Sequence, residues 1–580
     1  MHDVILITGD ADVDHPSFPA ALLVRVLEAA GFTARVVSRP DPTAPGELAA
    51  VGAPRLFVGV TAGALDSMVA NYTPLRKPRT DDPYSPGGRG PGRPDRAVTA
   101  YCNLARRAFG RQVLLVAGGV EAALRRFSHY DYWSDSVRRP ILMDCGADLL
   151  VHGMGEGPVV EMARRLRTLV GEGVASRDAA VSLHDVRGVV YRTRASAPAP
   201  AGAQALPSHE EVVAAPAAFA RAHRITEERA DETLVQQCSG MRVVANPPWP
   251  PLTPAELDRI YALAFTRDAA AVYGRQRIPA LEQVRFSVTS HRGCGGGCAF
   301  CAIAALQGRR VVSRSEQGIL EEVRRIAAHR DFRGTVPDIG GATANMYGFA
   351  CTAHGSCRRP SCLWPSRCAH LEGDCGRYAE LLESAARVPG VRHLFVTTGV
   401  RMDLALQAPA FIRRLAAHHT SGHLKVAPEH VSRRVLDPMR KPAGASFERF
   451  LDAFAAAVRG STRQQFVLPY LMAAHPGCTL DDMVDLALFL AARRIRAEQC
   501  QIFTPTPGTA SSVMYATGLD PWTLAPLFVE RSDRGKRLQK ALILYHLVDN
   551  RQDVQAALRA AGRPDAAAAL LSPQARKRDS

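Results

Sequence analysis

Apolar runs and amphipathic stretches alternate along the first 194 residues of the chain. The apolar runs are rich in β-branched residues and end at glycine or at a turn, as buried parallel strands do. Between them, stretches such as AALLVRVLEAAGF carry apolar residues at helical spacing. The pattern predicts an α/β domain with a doubly wound parallel sheet over residues 1–194, with ligands beyond the carboxyl ends of its strands. The predicted strands are DVILITG, TARVVS, RLFVGVTAG, RQVLLVAGG and ADLLVHG.

A second alternation of strands and helices covers residues 284–519. Helical stretches such as SFERFLDAFAAAVRG separate the apolar runs, and repeated β–α units of this kind predict a partial (β/α)6 barrel. A barrel of this type places its chemistry at the carboxyl ends of its strands. The predicted strands lie in RFSVTSHRG, TVPDIGGATANMYG, VRHLFVTTGVRMDL, HLKVAPEH, RQQFVLPYLMAAHPG and RAEQCQIFTPTPGT.

Two further regions complete the predicted organisation. Residues 195–283 begin with APAPAGAQALPS, which is typical of a flexible linker, and continue as a helical bridge to the barrel. Within this bridge, Thr253 followed by Pro254 predicts the first turn of a helix. Residues 520–580 are predicted to form a short, basic, helical tail that ends in the disordered segment SPQARKRDS.

The composition limits the classes of function. The 580 residues carry a formal net charge of +16, spread without a long Lys/Arg block, so a solvated arginine-rich surface explains it and a nucleic-acid partner stays open. No uncharged apolar run reaches the roughly 18 residues of a membrane span, and the acidic N-terminus does not resemble a signal peptide. We therefore expect a cytoplasmic protein with no membrane partner, in which clustered cysteines favour metal binding over disulfides.

The stretch HRGCGGGCAFCAI carries three cysteines, Cys294, Cys298 and Cys301, at the spacing C-x3-C-x2-C. Glycines between them allow the backbone to wrap closely around an iron–sulfur cluster. Three thiolates leave one iron of a four-iron cluster open for a substrate or cofactor. The motif, with Phe300 before the third cysteine, resembles the signature of the radical S-adenosylmethionine (SAM) superfamily. A zinc loop or unrelated thiols are the alternatives, but zinc loops usually need a second distant cysteine pair.

Further stretches resemble the YgiQ-like family within that superfamily. They run from the start of the chain to about Pro521, and the N-terminal loop departs from the family pattern at Pro19, where glycine is expected. The family implies a cluster and SAM but no agreed reaction. The matching stretches are DADVDHPSF, DDPYSPGG, RRFSHYDYWSDSVRR, HRGCGGGCAFCAI, GRRVVSRS, GGATANMYG, GVRMDL, KVAPEH and QIFTPTPGTASSVMYATGLDP.

The resemblance implies that Cys294, Cys298 and Cys301 hold a [4Fe–4S] cluster whose open iron binds SAM. One electron, from a donor such as flavodoxin or ferredoxin, then cleaves SAM to a 5′-deoxyadenosyl radical that abstracts hydrogen from an unknown substrate. Two alternatives stay open. One is a radical methyl- or methylthio-transferase acting on RNA or protein. The other is a non-catalytic Fe–S or zinc module that binds nucleic acid.

Residues around the second predicted strand are expected to contact SAM. Gly340 and Gly341 resemble the superfamily's glycine motif, although a simple turn explains them equally well. The predicted contacts to the SAM carboxylate or ribose are Arg309, Ser313, Arg314 and Ser315, and a structural salt bridge at a helix start is the alternative. Strand ends also place Arg401, Lys425 and Glu429 near the site, where buried ion pairs are the alternative; Tyr347 and Tyr515 are weaker candidates.

The N-terminal domain resembles the cobalamin-binding-type domain that precedes many radical SAM barrels. Gly118–Gly119 and Gly153–Glu156 carry the resemblance, each after a predicted strand. Domains that bind cobalt through histidine contain D-x-H-x-x-G, which the sequence around His15 does not match. We therefore expect that bound cobalamin is absent, with a corrinoid that lacks a histidine bond to cobalt as the open alternative.

A second cysteine group lies in an insertion at residues 351–375. Cys351, Cys357, Cys362 and Cys368 match cysteines of the family, and Cys375, His354 and His370 lie among them. The spacing matches neither common zinc fingers nor ferredoxins. A second metal site, an auxiliary Fe–S cluster or zinc, is the first hypothesis; redox or sulfur chemistry and inert thiols are the others. The cysteines expected to be buried apolar residues are Cys102, Cys145, Cys238, Cys478 and Cys500.

Overall fold

The computed structural model describes residues 1–353, 357–461 and 463–572. His354 and residues 573–580, which include nearly all of the segment predicted to be disordered, lie outside this description.

The first half of the chain forms a nine-stranded sheet, as predicted for an α/β fold. Strands β1 to β4 and β7 are parallel, and they occupy one side of the sheet in the order β2-β1-β3-β4-β7. The order continues as β8-β11-β10-β9. The strands are β1 Val4–Thr8, β2 Ala34–Ser38, β3 Phe57–Val60, β4 Leu114–Ala117, β5 His129–Asp131, β6 Ser136–Arg138, β7 Leu149–Val151, β8 Val189–Arg194, β9 Gln204–Ala205, β10 Leu234–Cys238 and β11 Met241–Ala245.

Helices cover both faces of this sheet because successive strand residues point to opposite sides. Ile5 and Ile7 pack in one buried cluster with the helix α4, whereas Val4 and Leu6 pack in another with α1 and α6. The helices are α1 Pro19–Ala29, α2 Pro45–Ala49, α3 Ser67–Asn71, α4 Ala97–Phe109, α5 Gly119–Leu124, α6 Glu156–Gly171, α7 His209–Ala214, α8 Pro216–Glu228, α9 Pro254–Tyr261 and α10 Pro279–Val284.

The region predicted as a linker, residues 195–283, differs from that prediction. β10 and β11 form an antiparallel hairpin that extends the sheet through β8, and β9 adds its edge. Ser239 and Gly240 both have positive φ, +50° and +75°, as a two-residue hairpin turn requires. The helix predicted after Thr253 is confirmed, since Thr253 and Glu256 form a capping box with Pro254 in the first turn. The region is therefore part sheet and part bridge.

The second half forms the predicted partial barrel of parallel strands. Short parallel pairings link β12 to β16, β15 to β19, β20 to β21 and β21 to β22. An isolated parallel bridge between Val400 and Val426 joins the segment after β19 to β20. β15 and β16 are two parts of one strand around Pro337. The strands are β12 Val288–Thr289, β13 His291–Arg292, β14 Val312–Ser313, β15 Thr335–Val336, β16 Ile339–Gly340, β17 Ala350–Cys351, β18 Leu371–Glu372, β19 His393–Leu394, β20 His423–Glu429, β21 Phe466–Ala473 and β22 Gln499–Ile502.

The helices of the second half pack outside these strands, and the last three close the end of the barrel. Leu538, Leu542 and Leu558 of this C-terminal segment share a buried cluster with Met483 and Leu490. The helices are α11 Ile303–Gln307, α12 Glu316–Ala327, α13 Gly376–Ala386, α14 Met402–Ala405, α15 Pro409–Arg414, α16 Arg433–Met439, α17 Ala445–Val458, α18 Leu480–Ala492, α19 Ala510–Thr517, α20 Asp533–Ile543, α21 Arg551–Ala560 and α22 Ala567–Leu571.

Within the described ranges, no helix combines the length and the apolar character needed to cross a bilayer. Four of the cysteines predicted to be buried are so, and the fifth, Cys500, is half-buried.

Candidate active site

The cysteine-rich loop follows two short strands at the start of the barrel, β12 and β13. β13 pairs with β14, which fixes both ends of the loop, and the backbone NH of Cys294 donates to the carbonyl of Gly308 at 3.2 Å. Gly293 and Gly297 have φ of +83° and +56°, and a Cβ at either would lie 2.0 Å from a carbonyl oxygen of a neighbouring segment. Only glycine therefore allows this path.

The three cysteines of the loop are half-buried and lie close to one another. The backbone NH of Cys301 donates to the carbonyl of Cys298 at 3.0 Å, and Cys294 Sγ lies 3.7 Å from Thr343 Oγ1 and 3.9 Å from Met346 Sδ. Burial, assisted by the negative charges of Cys298 and Cys294, raises the pKa of Cys301 to about 12. Without a bound metal the thiol of Cys301 stays protonated. A positively charged metal centre favours the thiolate, so the three cysteines suit such a ligand.

Two cationic side chains adjoin the cysteine loop. The guanidinium of Arg401 crosses Gly296, where a Cβ would lie 2.6 Å from its Nη1 and 3.3 Å from Cys294 Sγ. Asp403 accepts two hydrogen bonds from Arg401 at 3.0 Å. Burial acts to lower the pKa of Arg401, but the charges of Asp403, Cys298 and Cys294 raise it above its ordinary value. Arg401, which the sequence predicted near the site at the end of a strand, therefore adjoins the cysteine loop.

Lys441 is the second cation, and its Nζ lies 5.7 Å from the centre of the Phe300 ring. It donates to the carbonyl of Ala427 at 2.7 Å and pairs with Glu429 at 3.5 Å. Burial raises the pKa of Glu429, although Lys441 opposes the shift. Glu429 is thus held in the buried ion pair that the sequence left as an alternative.

A cavity of about 560 Å³, the central chamber, lies between the nine-stranded sheet and the barrel. Cys298 and Cys301 line it from the barrel side, and the loop after β7 and the segment between α5 and β5 line it from the sheet side. Buried Glu156, at the start of α6, pairs with Arg292 of β13 at 2.5 Å and ties the two halves together beside the loop. The chamber lies beyond the carboxyl ends of the sheet strands, where the sequence pattern predicts that a ligand binds.

Polar side chains of the N-terminal domain face this chamber. His129 Nδ1 donates to the carbonyl of Phe127 at 3.1 Å, and His152 Nε2 donates to the carbonyl of Asn246 at 2.8 Å. Burial lowers the pKa of both imidazoles to about 3, so both are neutral at pH 7. Arg126 also lines the chamber, and within the described chain no carboxylate pairs with it.

The environment of Arg126 is unusual for a guanidinium. Its Nη1 donates to the carbonyl of Ala123 at 2.9 Å, while its buried Nε has no hydrogen-bond partner among the described residues. Burial lowers its pKa to about 10. A buried charge without a counter-charge is costly, and such groups concentrate at functional sites.

Three of the six residues predicted to contact SAM have partners within the protein. Arg314 is buried, and its guanidinium binds Glu322, Asp258 and the carbonyls of Thr289 and Gly318. Ser315 caps α12, and Ser313 Oγ accepts from the NH of Gly348 at 2.9 Å. Hydrogen bonds within the protein thus occupy the side chains of Ser313, Arg314 and Ser315, as in the structural alternative, and their contacts to SAM stay a prediction.

The other three predicted SAM contacts lie nearer the cysteine loop. Arg309 lines the central chamber and donates to the carbonyl of Cys357 at 3.1 Å. The Gly340 carbonyl accepts from the NH of Ser290 at 2.7 Å and from its hydroxyl at 3.1 Å. A Cβ at Gly341 would lie 2.7 Å from the ring of His291, so this residue packs directly against the strand that carries the loop.

The second cysteine group lies directly against the first. Cys351, Cys357 and Cys362 line the central chamber together with Cys298 and Cys301. The NH of Cys362 donates to the carbonyl of Gly295, within the first cysteine loop, at 2.8 Å. Cys375 is apart from this group, because it is buried and bonded to Asn345.

Sequence reasoning missed Arg126, Lys441 and the contact between Gly295 and Cys362. Each depends on a contact between distant parts of the chain, and none carries a local motif. The hairpin of β10 and β11 did have a signal, because Ser239–Gly240 separates two apolar runs by two residues.

Three family models match successive parts of the chain. "Radical SAM N-terminal" matches residues 1–287, "Radical SAM superfamily" matches residues 288–490, and "Domain of unknown function (DUF3362)" matches residues 498–569. The UPF0313 protein GSU2873 of Geobacter sulfurreducens is 50% identical over 98% of this chain and 94% of its own length. A UPF0313 protein of Methanocella arvoryzae is 44% identical over 97% and 93%.

Two solved structures share the general arrangement at low identity. The radical SAM methyltransferase TsrM from Kitasatospora setae, with cobalamin and a [4Fe–4S] cluster bound, is 16% identical over 87% of this chain and 75% of its own, with a TM-score of 0.48. The cobalamin-dependent SAM radical enzyme OxsB, with aqua-cobalamin and SAM bound, is 10% identical over 97% and 61%, with a TM-score of 0.47. At these values the likeness assigns no role to any residue of this chain.

These comparisons correct the expectation about cobalamin. Both structures contain cobalamin, and the N-terminal half of this chain matches the radical SAM N-terminal model. The prediction that cobalamin is absent is therefore wrong. The missing D-x-H-x-x-G sequence, on which it was based, does not exclude bound cobalamin.

Proposed function

The chain belongs to the UPF0313 family and is a radical SAM enzyme, and from that premise we propose that Cys294, Cys298 and Cys301 bind the [4Fe–4S] cluster on which SAM is bound. The observation that carries the proposal is the position of three half-buried thiols on one glycine loop, with Cys298 and Cys301 open to the central chamber. When bound, the cluster supplies the electron that cleaves SAM to a 5′-deoxyadenosyl radical, which abstracts hydrogen from the substrate.

The surroundings of the loop fit a thiolate-held cluster. Burial keeps the Cys301 thiol protonated on its own, so iron must displace the proton when the cluster forms. Arg401 and Lys441 place two positive charges beside the cysteines, and these offset the negative charge of the thiolates. Gly296 permits the approach of Arg401 because it has no side chain.

The central chamber is the proposed site of SAM and substrate. Arg309 lines it beside the cysteine loop, and we retain Arg309 and Gly341 as the residues that contact SAM, Arg309 at its carboxylate. Arg126, on the opposite wall, lacks a carboxylate partner within the described chain and is proposed to bind an anionic group of a ligand. Walls from both domains exclude water, which protects a radical from side reactions.

Cleavage of SAM in an anaerobic, iron- and sulfide-reconstituted preparation tests the proposal. Under dithionite we expect the wild type to release 5′-deoxyadenosine and Cys298→Ala to release none, because one iron loses its ligand. Cys238→Ala, in β10 and far along the chain from the loop, is the matched control and should cleave SAM as the wild type does. A Cys298→Ala variant that still cleaves SAM would overturn the assignment.

A second candidate is methylthio transfer, which the second cysteine group beside the loop favours. This reaction would also remove the methyl group of SAM and release S-adenosylhomocysteine. Product analysis in the presence of cell RNA and protein separates the two candidates. If 5′-deoxyadenosine appears without S-adenosylhomocysteine, hydrogen abstraction stands alone.

A further inference from the structure

Four cysteines of the insertion are gathered at one place by the local fold. β17 and β18 pair antiparallel, with Cys351 opposite Leu371, and this hairpin brings the start of the insertion next to its end. The backbone NH of Cys368 donates to the carbonyl of Cys362 at 2.8 Å. All four thiols, of Cys351, Cys357, Cys362 and Cys368, are half-buried. The loop therefore presents a compact set of donors.

Backbone contacts around the insertion place the four cysteines beside one another. The NH of Leu371, which lies opposite Cys351 in the hairpin, donates to the carbonyl of Cys368 at 3.1 Å, and Cys351, Cys357 and Cys362 line the central chamber together. Like charges in one place are unfavourable without a cation. By contrast, the thiol of Cys375 is buried and bonded to Asn345, away from the residues that line the chamber. Cys375 is therefore outside the set.

The separation of the sulfur atoms favours a cluster over a single zinc ion. A zinc ion that binds thiolates at about 2.3 Å brings their sulfur atoms to roughly 3.8 Å from one another. Among the described residues, no three cysteine sulfurs all lie within 4.8 Å of one another. The one set of potential ligand atoms in the described ranges that does so belongs to Asp268, His329 and Asp331. In a four-iron cluster each thiolate binds a different iron, and the sulfurs stand further apart.

The set adjoins the proposed SAM cluster through backbone contacts. Besides the bond from Cys362 to Gly295, Ser361 Oγ donates to the carbonyl of Gly296 at 2.7 Å. A Cβ at Gly295 would lie 3.2 Å from Cys362 Cβ and 3.1 Å from Met346 Cε. The two cysteine loops are therefore separated by little more than one glycine.

We propose that Cys351, Cys357, Cys362 and Cys368 bind a second [4Fe–4S] cluster that passes electrons to the SAM cluster, an inference that rests on the proposed function. Four protein thiolates leave no iron open for a ligand, which suits electron transfer rather than substrate binding. A reduced flavodoxin or ferredoxin would lose one electron, the cluster held by the four cysteines of the insertion would pass it to the SAM cluster, and that electron would break the sulfur–carbon bond of SAM. Methionine leaves with the electron pair of its thioether sulfur.

The surface beside this loop suits such a donor. Arg310 and Arg358 are exposed next to Arg309 and Cys357, and no ion pair engages either of them in the described ranges. An acidic electron carrier would be steered to these charges, with an on-rate that falls as ionic strength rises.

Iron and zinc content per chain test the second site. After anaerobic reconstitution we expect about eight irons in the wild type, about four in Cys368→Ala, about four in Cys298→Ala, and no zinc. Cys375→Ala is the matched control, because it removes a neighbouring thiol outside the set, and it should keep the wild-type iron. Wild-type iron in Cys368→Ala, or stoichiometric zinc in the wild type, would overturn the second cluster.

Two reductants then separate the second site from the first. Dithionite is small and reaches the SAM cluster directly, so Cys368→Ala, at the one cysteine of the set that does not line the central chamber, should cleave SAM under dithionite at the wild-type rate, which also shows that it is folded. With reduced flavodoxin we expect its rate to fall by about tenfold or more. Equal rates with flavodoxin would overturn the relay, whereas a wild type that never cleaves SAM under dithionite would instead refute the proposed function.

Discussion

The carbonyl of Gly295 accepts a hydrogen bond from the backbone NH of Cys362 at 2.8 Å. This bond joins the loop of the first cysteine group to the loop of the second. It forms only because the first loop lacks side chains at its point of contact. The glycines between Cys294 and Cys298 therefore admit the second loop, and in the proposed function they also let the chain wrap around the cluster.

Gly297→Ala should separate the two loops. Gly297 has φ of +56°, and a Cβ there would lie 2.0 Å from the carbonyl oxygen of Pro360. We expect a loss of about 2–4 kcal/mol in the free energy of unfolding, from backbone strain and overlap together. Denaturant titration followed by circular dichroism measures it. Gly171→Ala is the control, because nothing lies within 4 Å of its Cβ, and unchanged stability in both variants would refute the role of Gly297.

Local pattern predicted the cysteine loop and the six barrel strands because cluster spacing and strand periodicity are short-range features of the chain. Arg314 shows the limit of such reasoning. It lies in a serine- and arginine-rich stretch that suits SAM binding, yet Glu322, on the following helix, and Asp258, in the preceding domain, bind its guanidinium. Which partner an arginine takes depends on tertiary packing, which one sequence does not reveal.

The linker predicted for residues 195–283 differs from the structure for another reason. Alanine and proline at the start of this region indicated a linker, but the sheet continues through β10 and β11 some thirty residues later. Lys441 was also unpredictable, because the contact of its ammonium with Phe300 spans 141 positions of the chain and depends on the closure of the barrel.

Glu322→Ala should destabilise the contact between the two halves of the protein. Buried Glu322 pairs with Arg267 and Arg314, and Arg267 also donates to His15 at 3.0 Å. Removal of the carboxylate leaves the buried guanidinium of Arg267 without a counter-charge and leaves Arg314 with Asp258 alone, so we expect a loss of about 3–5 kcal/mol in the free energy of unfolding.

The neighbouring position provides the control for this substitution. Glu321 is exposed on the same helix, and Glu321→Ala should change stability by less than about 0.5 kcal/mol. Both variants are compared by thermal unfolding at pH 7. Equal midpoints for the two would show that the buried network contributes nothing.

His475 should make the fold sensitive to acid. Its ring is buried, with Nδ1 bonded to the carbonyl of Pro476 at 2.8 Å and Nε2 to the Ser511 hydroxyl at 2.7 Å. Burial, assisted by His430, lowers the pKa of His475 to about 3. The unfolded chain binds a proton here below about pH 6.5 and the folded chain does not, so stability is present above that pH and is lost as pH falls from there toward 3.

The slope of unfolding free energy against pH measures this effect. Between pH 6 and 5 we expect His475→Gln to reduce the wild-type slope by about 1 kcal/mol per pH unit. His393→Gln, at an exposed histidine, controls for the substitution itself. A slope that His475→Gln leaves unchanged would show that this imidazole is protonated in the folded protein.

Arg126→Met should stabilise the protein while it impairs the reaction. The buried Nε of Arg126 has no hydrogen-bond partner among the described residues, and methionine fills a similar volume without a charge to desolvate. We expect the free energy of unfolding to rise by about 1–2 kcal/mol. Arg187→Met is the matched control, because Arg187 also lines the central chamber but is exposed, and its stability should not change. Lower stability in Arg126→Met would mean that the guanidinium holds the fold together, and the proposed anionic ligand would lose its main support.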